Sequence, residues 1–173
     1  EGLRVGKSVG STHTAYLLDH NNPTGYPQII EEKTNTTSIP DMYAAPTRSY
    51  LIGNTVEGQH DATNGMLTFA RDGHGSNRAL INPLGALVES YKYQAYGEPI
   101  VFDPDNAKTI HLFGGDSEYD ASSKMNYHDA RWRQSNRFIS TDPRVPGAGD
   151  LLNTNLYLYG SSNPITYTDP SGN

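Results

Sequence analysis

The sequence predicts an all-β fold, mostly antiparallel hairpins and a meander, and three observations carry that expectation. Gly (17) and Pro (11) are plentiful while the apolar fraction is only 35%, a balance that suits many turns rather than packed helices. Short aromatic or aliphatic runs alternate with turn clusters at hairpin spacing, as in AYLLDHNNPTGYPQIIEE, RSYLIGNTVEG and TIHLFGGD. No long stretch holds a 3.6-residue period with a cap, so one or two short helical turns near the C-terminus, over 151–159, are the most expected.

Taken in order, the run from Tyr16 to Asp19 reads as a strand ending in a turn, and 33–47, polar and holding Pro40 and Pro46, reads as a surface connection. Between Phe69 and Tyr96 the pattern is most legible. A strand runs to Arg71 and a turn follows at Asp72-Gly73-His74-Gly75. The next strand is Arg78 to Ile81, with a turn at Asn82-Pro83-Leu84-Gly85, and a third runs from Leu87 to Tyr93 before Gly97. A second loop is expected over 142–155. A weak repeat runs through Tyr16 to Asp19, Phe69 to Asp72 and Tyr127 to Asp129: an aromatic, an Asp within three residues, then a turn. Hairpins repeated in this way stack sideways into a long sheet whose edges need closing or continuing.

Composition bounds function as well. The 173 residues suit one domain, and 19 acidic against 13 basic residues leave a net charge of −6, which argues against a nucleic-acid partner. Cysteine is absent, which removes disulfides and thiolate metal sites. The six histidines show no paired metal-binding spacing, so no metal and no cofactor are expected. No apolar run reaches the length of a membrane span. The first residue is Glu1 rather than Met, which suggests a piece of a larger polypeptide. GHGSN (73–77) lacks the third Gly and the Lys of a phosphate loop and reads as a hairpin turn.

FARDGHGSNRALINPLGALVESYKYQAYGEP, then NYHDARWRQSNRFISTDP, then NLYLYGSSNPITYTDPSG together resemble the Rhs repeat-associated core, the C-terminal end of the YD-repeat shell of Rhs proteins and toxin-complex C components. The resemblance covers most of the chain from Tyr16 onward. It divides the single region into last repeats (about 1–67) and core (68–173). It implies a bacterial, secreted or cell-surface β-sheet cocoon around a variable toxin. The core would plug one end and cut the chain just after Asp-Pro-x-Gly-Leu. The implied partners are the rest of the shell and a downstream C-terminal toxin, with secretion-system or toxin-complex components or neighbouring copies as further candidates.

Two carboxylates held close can hydrolyse a peptide bond, one activating water and the other, protonated, acting as acid. By resemblance the pair is Asp142 in RFISTDP and Asp169 in TYTDPSG, with Arg137 as the basic residue and the cut at Gly172 and Asn173 after the DPSG motif. Such an aspartic autoprotease would turn over once. Asn136 stands where the family has Gly, a swap that Asn tolerates by visiting left-handed geometry, and Asn173 stands in the place of Leu. From spacing alone Asp142 and Asp169 read as structural Asp-Pro turns, like Asp103. Two alternatives to the autoprotease therefore stand. One is a shell or surface module of the same fold without protease activity. The other is an adhesion or carbohydrate-binding module using Trp132, Tyr127, Tyr157, Tyr159 and Tyr167, although strand tyrosines usually pack in ladders. Arg131 and Arg133, opposite Trp132 by strand alternation, are expected to line a surface or the shell interior.

Overall fold

The structure, a computed structural model, describes residues 3–41, 43–115, 117–143 and 155–172. All strand pairing among them is antiparallel, in an eight-stranded and a four-stranded sheet. The large sheet takes its strands in chain order: β1 (Gly6–Val9), β2 (Thr12–Asp19), β3 (Gln28–Asn35), β4 (Arg48–Ile52), β5 (Val56–Asp61), β6 (Gly65–Arg71), β7 (Asn77–Ile81) and β8 (Leu87–Ser90). The small sheet is a meander of β9 (Glu118–Asp120), β10 (Met125–His128), β11 (Arg131–Gln134) and β12 (Arg137–Phe138). The chain divides into two compact units. One is Gly2–Ala70 with Ala79–Glu89; the other is Arg71–Arg78 with Ser90–Asn173.

The strands expected around 69–93 form, with β8 ending at Ser90 and Tyr93 keeping only an isolated bridge to Pro99. Among the described residues the helical turns are short: Pro104–Asn106 and Gly160–Ser162. Of the helical stretch expected over 151–159, residues 151–154 lie outside the described residues, and 155–159 form turns and a bridge. The aromatic–Asp repeat has a physical basis in the turns. Asp72 Oδ1 accepts the amides of His74 and Ser76, both at 3.0 Å, and Asp19 Oδ1 accepts that of Asn21 at 2.8 Å. Asp61, Asn82 and Asp120 cap their own turns in the same way. A short acid or amide at a strand end thus satisfies the turn amides that the ladder leaves over.

One face of the large sheet explains the low apolar content. In register, Tyr16, Glu32, Arg48, Asp61 and Gly65 form one row across β2 to β6. Beside it Tyr50, Gln59 and Leu67 form a second. Arg48 lies 3.5 Å from Glu32, and the Tyr50 hydroxyl donates to the same carboxylate. Burial and the neighbouring Glu32 charge push the Tyr50 hydroxyl well above the usual phenol range. Burying such polar groups is tolerable where they bond one another, as these three do. In the other unit the core is aromatic: Phe113, Phe138 and Tyr159 are buried, with Tyr93 and Tyr96 packed against them.

Candidate functional site

The hairpin β10–β11 places the chemistry. His128 pairs directly with Arg131, so both side chains leave the same face, and Arg133 follows two residues on. Tyr127 pairs with Trp132 on the opposite face, their rings 5.0 Å apart. Arg131 and Arg133 are only 3% and 1% exposed. The expectation that they line a surface is therefore corrected. Aromatic rings and main-chain carbonyls meet both guanidinium groups and two carboxylates meet Arg131, while Arg133 Nη2 is buried without a hydrogen-bond partner.

Arg131 is the hub. Its Nη2 donates to Asp142 Oδ2 at 2.8 Å and to Asp169 Oδ2 at 3.4 Å, and its Nη1 donates to the Leu156 carbonyl at 3.0 Å. Its Nε donates to the carbonyl of Gly172. The guanidinium stacks 3.8 Å above the Phe138 ring. The two acids, distant in sequence, thus share one nitrogen, and their side chains are only 21% and 14% exposed.

The last described residues lie over the tip of this hairpin. The Ala130 amide donates to the Ser171 carbonyl at 3.1 Å, and His128 Nδ1 lies 2.8 Å from the Asp169 carbonyl. Gly172 has φ +70, and a Cβ there would fall 2.3 Å from the His128 carbonyl. Asp142 is held from the other side, its amide donating to the Leu156 carbonyl at 2.8 Å.

No family model matches the chain. Among curated proteins, the tRNA3(Ser)-specific nuclease WapA of Bacillus spizizenii is 27% identical over 99% of this chain and 7% of that protein. The tRNA nuclease WapA of Bacillus subtilis is 28% identical with the same coverage. The chain therefore spans 7% of the length of these relatives. Among solved structures, TcdB2-TccC3 without its hypervariable C-terminal region superposes with a TM-score of 0.60 at 18% identity, over 94% of this chain and 8% of that one. TcdB2-TccC3 itself gives 0.57 at 22% identity with the same coverage. This chain shares their fold.

Of the residues singled out from the sequence, Asp142, Asp169 and Gly172 come together, and Asn173 lies outside the described residues. Arg137 sits on β12 with an exposed side chain, its backbone bridging Leu158. The cation between the acids is Arg131 instead. The left-handed residue of the β11–β12 turn is Ser135 (φ 53), one position before Asn136. Residues 144–154 of the expected loop after Asp142 lie outside the described residues. Tyr127 and Tyr159 are buried, so the five aromatic residues form no common exposed platform.

Sequence reasoning missed His128 and Arg133. Arg133 Nε donates to His128 Nε2 at 3.1 Å, and its Nη1 donates to the carbonyls of Tyr96 (2.8 Å) and Ser135 (2.5 Å). Burial first, then the charge of Arg133, depresses the His128 pKa to about 3. The only sequence signal was two arginines spaced by two in a strand.

Proposed function

We propose that this chain is the closing region of an Rhs-type YD-repeat shell, secreted or at the surface of a bacterium, and that it cuts its own polypeptide beside Gly172 to release a C-terminal cargo. Asp142 and Asp169 are the acid–base pair, and the cation expected at Arg137 is Arg131. One observation carries this reading: a single buried guanidinium touches both carboxylates and the carbonyl of the DPSG glycine. The toxin-complex fold and the WapA relatives support the shell setting.

In the proposed reaction one carboxylate takes a proton from water as the water oxygen attacks the Gly172 carbonyl carbon. Charge then develops on the oxygen that already accepts from Arg131 Nε, where a fixed donor is most effective. The other, protonated carboxyl gives its proton to the Asn173 nitrogen as the C–N bond breaks. Gly172 is left as a carboxyl terminus and Asn173 as an amine. The folded chain delivers its own bond, so no substrate pocket is required.

The test is the parental polypeptide continued beyond Asn173, followed by intact-mass spectrometry. Wild type is expected to appear as two fragments with a new terminus at Gly172, and Asp142→Asn, Asp169→Asn and Arg131→Met as one uncut chain. Cutting after Asn173 would unseat Gly172 as the polarised carbonyl. A wild type that stays whole would leave the fold as a shell module without protease activity.

A further inference from the structure

Two buried side chains outside the acid pair are tied to it. His128 is fully buried between the rings of Phe138 (5.6 Å, edge-on) and Tyr159 (5.5 Å). Its two nitrogens meet groups of opposite kind. Nε2 faces Arg133 Nε, which has only a proton to offer, so Nε2 must be the acceptor. The ring proton therefore sits on Nδ1, which faces the Asp169 carbonyl, an acceptor only. The arginine thus selects the tautomer, and the tautomer holds the main chain of the residue whose carboxylate reaches Arg131.

We infer that Arg133 and His128 form a tautomer-locked latch that positions Asp169 and the Gly172 carbonyl for cleavage, and so act as positioning residues of that site. The inference rests on the proposed self-cleavage. Asp169 is anchored at two ends, its carbonyl by His128 and its carboxylate by Arg131, and the Gly172 backbone lies against the His128 carbonyl. Arg133 is in turn clamped by the Tyr96 and Ser135 carbonyls and lies 4.5 Å from the centre of the Tyr159 ring. The charged and titratable groups facing the imidazole are Arg133 and Arg131 on β11, Asp169 on the C-terminal segment and Tyr159. Two of them are cations that oppose a positive charge on the ring. The latch consequently keeps one geometry through the mildly acidic range in which an ordinary histidine switches.

The experiment uses the parental polypeptide and measures the first-order rate at which the cut fragment appears. His128→Phe keeps a ring between Phe138 and Tyr159 but removes the donor, and its rate is expected to fall roughly 10- to 100-fold, the range in which a small misplacement of reacting groups acts. His128→Asn returns an N–H close to the Nδ1 position and is expected to recover most of that loss. Arg133→Met removes one of the groups that keep Nε2 unprotonated, so the ratio of its rate to the wild-type rate is expected to fall as the pH is lowered from about 7 to about 4. Nitrogen-15 spectra of wild-type His128 at about pH 5 are expected to show a neutral ring protonated on Nδ1. Wild-type rates in His128→Phe, an equal fall at every pH in Arg133→Met, or an Nε2-protonated or cationic ring would each overturn the latch. Should His128→Phe fail to fold, the Arg133→Met profile and the spectra decide. Asp142→Asn and Asp169→Asn run alongside keep the two ideas apart. If they abolish cutting while the latch variants leave it unchanged, only the latch fails; if they cut like wild type, the acid pair itself fails.

Discussion

At the residue scale the neutral His128 makes a stability prediction whose sign follows from linkage. Its folded pKa is lowered from 6.5 to about 3, so between those values the unfolded chain binds a proton that the native chain refuses. Stability is therefore complete above about pH 6.5 and is lost as the pH falls toward 3, at up to about 1.4 kcal/mol per pH unit from this group. Denaturant unfolding from pH 7 to 4 should show that slope, and His128→Phe should flatten it. Gly172 makes a second prediction. Its φ of +70, and the mere 2.3 Å that would separate an added methyl carbon from the His128 carbonyl, leave no room for alanine. Gly172→Ala is expected to lower stability by roughly 1–3 kcal/mol and to stop cutting in the parental chain, read by unfolding midpoint and fragment mass together.

At the element scale the aspartate-capped turn is the repeated device. Asp72 gathers the His74 and Ser76 amides and also accepts from Arg78 Nε at 2.7 Å. Asp72→Ala leaves those part-buried amides without this acceptor and is expected to cost about 1–2 kcal/mol, whereas Asp72→Asn, which keeps an acceptor, is expected to lose less. Thermal melting of both variants checks the order. This part of the fold was legible in the sequence because a turn and its capping side chain lie within four residues of each other. Asp72 and Asn82 announced their turns for that reason, and the strands between them followed from spacing. Arg133 was unreadable for the opposite reason. A two-residue spacing in a strand shows that two side chains share a face, yet not whether that face meets water, aromatic rings or a returning tail.

At the scale of the whole molecule, the large sheet ends in β1 on one side and β8 on the other. An edge strand with apolar side chains invites pairing with another chain. Val5 and Val9, at 69% and 49% exposed, flank and end β1. The 173-residue chain by itself is expected to sediment as concentration-dependent oligomers, and Val9→Lys is expected to shift it toward monomer; a wild-type monomer at every concentration would contradict this. Local chemistry was enough to specify hairpins, turn caps and an antiparallel class, since each depends on neighbours a few residues apart. Which arginine stands between Asp142 and Asp169 depended on long-range folding. Arg131 and Arg137 are equal in charge and close in sequence, but only Arg131 sits where a buried hairpin face meets both acids and the returning Gly172 carbonyl. That choice was made by desolvation and the number of acceptors within reach, and neither is written in a run of residues.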